Sequence, residues 1–304
     1  MNLRDLQYVI TLSEQGHFGR AAALCKVSQP TLSGQIAKLE EELGIAVFHR
    51  VGRSVRPTAA GEEIISHARR AIAAAQAITD IAHASRDPLS GRLRLGVIPT
   101  LGPYLMPFVL PVSATRLPNA PLVIVEDLTG NLMPLVAEGR LDAAIIASPP
   151  ELAEIASMDL FNEPFWVATP PNHPLLGLKT IRPSDIDPKS LLLLSDGHCL
   201  RDQVLELCHQ HQASLPGDAD TRATSLETLL HLTGAGFGVT LVPQMVIDCG
   251  RALGSQIVIR PLTGDAIRCV RLIYRRASPR MKALVELARL IRAALPEPIR
   301  KAQR

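Results

Sequence analysis

The stretch from His17 to Gly44, HFGRAAALCKVSQPTLSGQIAKLEEELG, decides how the front of the chain folds. It reads as a short helix ending near Cys25, a tight connection through Val27, and a further helix with both ends marked. Ser28 is its N-cap, Pro30 stands in the first turn where a missing N–H costs nothing, and Gly44 closes it. Leu32, Ile36, Leu39 and Leu43 recur at the helical period and predict one buried stripe. The other face carries Gln29, Thr31, Ser33, Gln35 and Lys38, side chains able to approach base edges and phosphates. Before this stretch, LRDLQYVITLSEQG is a helix with apolar Leu3, Leu6, Val9, Ile10 and Leu12, stopped at Gly16. After it, Ile45 to Thr58 holds Arg50, Arg53 and Arg56 and no acid. Three arginines in an isolated loop read as a solvated surface; beside these helices they read as a wing on the phosphate backbone. The expected DNA-contacting residues are Gln29, Pro30, Thr31, Ser33, Gln35, Lys38, Arg50 and Arg53.

Further along, Thr58 to about Ser85 is alanine-rich, with Ile65, Ala68, Ile72, Ala75, Thr79 and Ala82 on a heptad-like seam. A helix of that length spans roughly 40 Å and its narrow apolar stripe needs a partner. The stripe serves either the core of a larger domain or a dimer or interdomain seam, and Ile65 and Ile72 are expected on the dimer seam. ASRDPLSG then makes a hinge. Beyond it, RLRLGVI, LVIVEDL and LDAAIIA are short β-type runs separated by helix-like segments at Tyr104–Leu117 and Thr129–Glu138. A second set comes next, with FWVAT, LLLLS, DTRAT, a helix from Ser225 to Ala235, GVTLVP, QIVI and RLIYR, and a last helix from Pro279 to Leu295. This is α/β patterning with a mainly parallel sheet, and two such lobes place a cleft at the carboxyl ends of strands. The expected domains are 1–58 for DNA binding, 59–87 for the linker helix and 88–304 for a regulatory region. Within the last, lobe I is 88–162 with 266–304, and lobe II is 163–265.

The 304 residues suffice for two or three units at about 150 residues each. Apolar residues make up 47%, charged residues 20% and aromatics only 3%, so the cores are built mainly from Leu, Ile, Val and Ala. No apolar run approaches the ~18 residues of a membrane span, and MNLRDLQYVI lacks the basic-then-apolar order of a signal peptide. The expectation is a cytoplasmic protein with no membrane contact. A formal charge of +3 is too small to diagnose a nucleic-acid partner; the local arginines say more.

DGHCLRDQVLELC, Asp196 to Cys208, raises a conflict. It opens like an amphipathic helix, in which nine steps carry Cys208 to the face opposite Cys199, roughly 13 Å further along the axis. A disulfide needs Cα atoms within about 7 Å. The segment is either helical or bridged, which makes the pair an accident or a switch. Five cysteines, Cys25, Cys199, Cys208, Cys249 and Cys269, are an odd number in a reducing compartment and argue against a structural disulfide framework. Cys199 stands at a helix start between His198 and Arg201, where cations favour the reactive thiolate, while Asp202 pulls the other way. Thr100 and Thr129 come after strands at cleft positions, where a hydroxyl caps the next helix, binds a ligand, or both. His198 is either a proton shuttle or a hydrogen-bonded neighbour of the thiol, and Arg268 in IRCVRLIYR supplies positive charge if its register turns it inward. His198, Cys199, Cys208, His209 and His211 are zinc-compatible types, yet a C-x8-C-H-x-H spacing lacks paired zinc-module geometry, so no metal is expected. GAGFG at 234–238 is a turn rather than a dinucleotide fingerprint, and no cofactor is expected.

The helix–turn–helix, long linker helix and two α/β lobes together resemble a LysR-type transcriptional regulator over the full length. Within that family, SQPTLSGQIAKLE, GVIPTLGPYLMP, DGHCLRDQ and TRATSLETL are similar to the members that sense hydrogen peroxide. The resemblance implies an α/β fold with an N-terminal all-α winged helix–turn–helix and a two-lobed, periplasmic-binding-protein-like regulatory region. It implies a regulator rather than an enzyme, acting on promoter DNA with RNA polymerase as a homodimer to homotetramer. By the same resemblance, Cys199 is the peroxide-reactive thiol, Cys208 resolves it into a disulfide, and a thiol reductant reverses the bond. Thr100, Thr129, His198 and Arg268 are then expected around the peroxide. Cys25, Cys249 and Cys269 match no assigned role and read as packing residues. Two rivals stand beside this reading: a LysR-type regulator gated by a small metabolite, with incidental cysteines, and a thiol peroxidase that leaves the helix–turn–helix unexplained.

Overall fold

The computed structural model of the chain describes residues 1–51, 54–86, 89–208, 223–249, 256–264 and 266–301. It divides into two compact units: Met1–Arg86 with Glu138–Arg140, and Asp87–Ala137 with Leu141–Arg304.

In the first unit, α1 (Leu3–Gln15) is opened by a capping box: Asn2 accepts from the Arg4 and Asp5 N–H groups and Asp5 accepts from the Asn2 N–H. Gly16, left-handed at φ 59°, ends it. Next come α2 (Phe18–Leu24) and α3 (Gln29–Leu43), then an antiparallel hairpin of β1 (Phe48–Val51) and β2 (Ser54–Pro57). Leu32, Ile36 and Leu39 of α3 are buried against Tyr8, Val9, Leu12, Ala21 and Ala22, as the stripe predicts. Leu43, the fourth residue of the stripe, is exposed because the helix ends at Gly44, one residue later. α4 (Ala59–Arg86) is a 28-residue helix started by Thr58, whose hydroxyl accepts from the Gly61 N–H at 2.9 Å. Gly61 is required: a Cβ there would stand 2.0 Å from the Val47 carbonyl oxygen.

The seam expected at Ile65 needs correction. Ile65 is buried in the core with α1 and α3, and Ala68 packs on Leu6 and Ile10, with Ile72 beside them. The first two turns of the α4 stripe therefore find their partner in α1 of the same chain, and a substitution at Ile65 acts on this core rather than on a dimer seam.

The second unit contains β3 (Leu93–Val97), α5 (Gly102–Arg116), β4 (Leu122–Glu126), α6 (Thr129–Ala137), β5 (Ala143–Ile146) and β6 (Ile155–Thr169). These lead into α7 (Cys199–Leu207), α8 (Leu226–Gly234), β7 (Thr240–Pro243), α9 (Gln244–Asp248), β8 (Val258–Pro261), β9 (Ile267–Arg275), α10 (Met281–Ala294) and α11 (Glu297–Lys301). Strand order is β4-β3-β5-β9-β6-β7, with β8 also on β6. The sheet is mixed rather than mainly parallel: β4, β3 and β5 run parallel, but β9 joins β5 and β6 antiparallel, and β7 and β8 pair antiparallel with β6. The reason is β6, a 15-residue strand of which the sequence pattern marks only Phe165–Thr169. Its first part mixes charges, Asn162 and Pro164 and carries a register shift between Asp159 and Phe161, which breaks the simple alternation. LLLLS is not a strand either; Leu191 and Leu194 make only single bridges to Val239 and Ala223.

Candidate functional site

Three parallel strands end side by side, and the residues just beyond their ends build the site. Thr100 lies just past β3, Thr129 begins α6 after β4, and Ala147 comes directly after β5. Helix α7 comes to these ends through two contacts. A Cβ on Gly197, left-handed at φ +91°, would stand 3.0 Å from Leu128 Cδ1, so the turn before α7 abuts the turn before Thr129. Gln203 Nε2 donates to the Ala147 carbonyl at 2.6 Å. Cys199 opens α7 four residues before Gln203, a spacing that puts the two on one face of the helix, and it is partly buried against the regulatory core. Thr100 and Thr129 are buried there. Among the described residues, the buried Thr129 Oγ1 and Gln203 Oε1 have no hydrogen-bond partner. Arg268 of β9 is buried and turned inward: Nη1 donates to Thr100 Oγ1 and Nη2 to the Thr100 carbonyl, each at 3.3 Å.

The two cysteines at the ends of α7 differ in setting. All five cysteines carry free thiols; Cys199 is half-buried and Cys208 is buried, and burial pushes the Cys208 thiol above its usual range. With α7 intact between them, the two Cα positions are separated by roughly 13 Å of helical rise, beyond the range a disulfide allows. Arg201 is engaged with the turn before α7: its Nε pairs with Asp196 Oδ1 at 3.1 Å and its Nη1 donates to the Leu194 carbonyl. His198 is buried, and its ring bonds to the backbone of Thr224. Burial lowers its pKa, the Thr224 bond opposes that, and the net direction is down. Cys25 packs on the amino-terminal core, Cys249 packs on the regulatory core and bonds the Val246 carbonyl, and Cys269 is hydrogen-bonded with Arg271 and Asp159. His209 and His211 lie outside the described residues.

In the first unit, Gln29, Pro30, Thr31, Gln35 and Lys38 are exposed on α3 and Ser33 is half-exposed. Glu40 is structural: its Oε1 accepts from the Val47 and Phe48 N–H groups at 2.8 and 3.0 Å, fixing the start of the hairpin to α3. Arg56 is exposed on β2. Arg50 is in β1, but its side chain and all of Arg53 lie outside the described residues.

The sequence pattern of the bacterial regulatory helix-turn-helix protein, lysR family, matches residues 3–62, and that of the LysR substrate binding domain matches residues 86–296. The chain belongs to the LysR family. Among its relatives is the DNA-binding transcriptional dual regulator OxyR of Escherichia coli K12, 37% identical over 295 residues, covering 97% of this chain and 96% of that one. A probable hydrogen peroxide-inducible genes activator of Mycobacterium leprae is 40% identical over 294 residues, covering 95% and 93%. The LysR fold is shared with a solved full-length OxyR variant from Pseudomonas aeruginosa at a TM-score of 0.79 and 39% identity, covering 99% and 97% of the two chains. A hydrogen-peroxide-bound OxyR mutant of Corynebacterium glutamicum gives 0.65 and 34%, covering 99% and 94%. Within the LysR family, this chain closely resembles the OxyR hydrogen-peroxide activators.

Two residues of the site are not evident from the sequence. Gln203 has a signal, its i+4 spacing from Cys199 on a helix whose first residue is already of interest. Glu163 has none. It is wholly buried and meets Arg268, 105 positions away in the chain, only because β6 and β9 pair.

Proposed function

We propose that this chain is a hydrogen-peroxide-sensing LysR-type transcription regulator that activates antioxidant genes. The reading is supported by the approach of Gly197, two residues before Cys199, to Leu128, the residue before Thr129, with Thr100 and Thr129 buried past the strand ends and the Thr129 hydroxyl unpartnered among the described residues. Peroxide is small, donates two hydrogen bonds and accepts others, and so matches hydroxyls that each both give and take. The Cys199 thiolate attacks one peroxide oxygen, the O–O bond breaks, and the second oxygen leaves to become water. The resulting sulfenic acid is larger and more polar than the thiol. Cys208 sulfur then displaces the sulfenic oxygen as water and forms the disulfide, and a thiol reductant restores both thiols. Because α7 holds the thiols apart and burial keeps Cys208 protonated, closure requires α7 to unwind.

In this reading Arg268 and His198 complete the peroxide surroundings. Gln29, Pro30, Thr31, Ser33, Gln35 and Lys38 read promoter DNA, with Arg50 and Arg53 on its backbone. The working divisions are 1–58, 59–87 and 88–304, the last with lobe I at 88–162 and 266–304 and lobe II at 163–265. The protein acts in the cytoplasm as a homodimer to homotetramer with RNA polymerase and consumes peroxide only stoichiometrically. No described helix is long and apolar enough to cross a membrane.

A second reading, gating by a metabolite, has one observation in its favour: a cavity of about 560 Å³ beside α7, lined by Phe165, Pro183, Gln203, Leu207 and Ile267 among others. Mass mapping of thiols before and after mild peroxide separates the two. A Cys199–Cys208 bond accompanied by a change in DNA binding supports the sensor; unreacted thiols, with DNA binding that tracks an added metabolite, support the second.

A further inference from the structure

Glu163 and Arg268 are direct cross-strand partners on β6 and β9. They are 0% and 3% exposed. Glu163 Oε1 accepts from Arg268 Nε and stands 2.8 Å from both Nε and Nη2, while Oε2 accepts from the Met245 N–H at 2.8 Å, at the start of α9. The guanidinium held this way reaches Thr100 with two nitrogens, Nη1 to the hydroxyl and Nη2 to the carbonyl. A guanidinium has no acceptor, so at that contact Thr100 Oγ1 must accept, and its single proton is turned toward a different acceptor. A buried ion pair is weak as a stability device, since an apolar pair often serves as well. What this pair fixes is a direction along a hydrogen-bond chain: Glu163 takes, Arg268 gives, Thr100 takes from Arg268 and gives onward.

We propose that Glu163 is a positioning residue for the thiol–peroxide reaction, holding Arg268 so that Thr100 presents its hydroxyl proton to the leaving oxygen of the peroxide. This rests on the peroxide reading above. In the step, the Cys199 thiolate sulfur bonds one peroxide oxygen as the O–O bond breaks. Sulfur is oxidised by two electrons and the peroxide is reduced. The leaving oxygen departs as hydroxide, stabilised by the hydrogen bond from Thr100, and the proton lost when the thiol ionised completes a water molecule. Thr129, whose hydroxyl has no partner among the described residues, is free to accept from the other end of the peroxide.

The test is a double-mutant cycle of Glu163→Gln and Thr100→Val in the full-length reduced protein. Two rates are read at Cys199: oxidation by hydrogen peroxide, and alkylation by iodoacetamide, whose iodide leaving group needs no such proton. The expected result is an oxidation rate at least about tenfold lower in either single variant, as for loss of one preorganised donor. The double variant should be no slower than Thr100→Val alone, and alkylation should stay within about threefold throughout. If Glu163→Gln does not fold, Glu163→Gln/Arg268→Gln, which removes both charges together, replaces it and must show the same loss and the same masking by Thr100→Val. Wild-type oxidation in the Glu163 variant, independent multiplication of the two losses, or an equal fall in alkylation overturns the proposal while leaving the peroxide reading intact. A wild-type Cys199 that does not react with peroxide overturns both.

Discussion

Helices α3 and α7 both carry residues of the proposed function, yet they are built in opposite ways. α3 has a side-chain cap, with the Ser28 hydroxyl accepting from the Thr31 N–H, and a left-handed Gly44 at its end. Its apolar stripe of Leu32, Ile36 and Leu39 is continuous. α7 is nine residues long, its N-cap His198 makes no side-chain cap bond, and Cys208 closes it without the left-handed turn. Only Leu200 and Val204 are buried along it. A helix so short and so poorly capped depends on tertiary contacts for its existence. Under the proposed function, α3 keeps its shape while its exposed face is read out, and α7 loses its shape when one oxygen atom is added at its first residue.

The largest expected effect comes from removing that residue. Cys199→Ser should abolish the peroxide-induced change in DNA binding altogether, whereas Cys208→Ser should leave Cys199 oxidisable and let its sulfenic acid persist. Trapping with dimedone and mass detection distinguish the two. A Cys199→Ser chain that still responds would end the contrast, since α7 would then be as passive as α3.

Next in size, Val204→Ala should weaken the reduced packing of α7 by about 2 kcal/mol, as for loss of buried methyl groups. Disulfide closure should then run faster at a fixed peroxide dose, measured by quenched thiol labelling. Closure at an unchanged rate would mean that α7 unwinding does not limit the switch.

In α3 the matching change is at its cap. Ser28→Ala should cost about 1 kcal/mol of thermal stability in the amino-terminal unit and leave the rate of Cys199 oxidation unaltered. Lys38→Ala should weaken DNA binding across sequences and reduce the salt slope of log affinity by about one, read by fluorescence anisotropy at several salt concentrations.

The same contrast explains how much is legible in the sequence. α3 is readable because its stabilisation is local: cap, proline, stripe and stop all fall within one short stretch. The α7 boundaries and the opposed cysteines are equally visible, but the partners of α7 are not. Ala147, Leu128 and Thr224 reach it from other elements, through contacts that no spacing announces. Glu163 is hidden for the same reason, lying in the part of β6 where charges and a bulge mask the strand. The α4 stripe misleads at Ile65 because periodicity does not say whether the partner is α1 or a second chain.

The smallest expected effect is on pH, and the two ends of α7 respond oppositely. His198 has a lowered pKa, so its neutral form supports the reduced packing at high pH, and that support is lost as pH falls below the ordinary histidine value of about 6.5. Cys208 has a raised pKa, so its support is present at neutral pH and lost as pH climbs through and beyond the ordinary thiol value of about 8.5. Alkylation of Cys208 in the reduced protein, corrected for thiolate fraction, should therefore be slowest between these values.

Hydrogen exchange of the amides from Leu200 to Leu207, measured before and after stoichiometric peroxide with Leu32 to Leu39 of α3 as an internal reference, tests most directly whether α7 is the element that changes. The α7 amides should be protected in the reduced protein and exchange sharply faster once the Cys199–Cys208 bond has formed, with α3 unchanged. A disulfide confirmed by mass in a protein whose α7 amides exchange at the reduced rate would contradict this expectation.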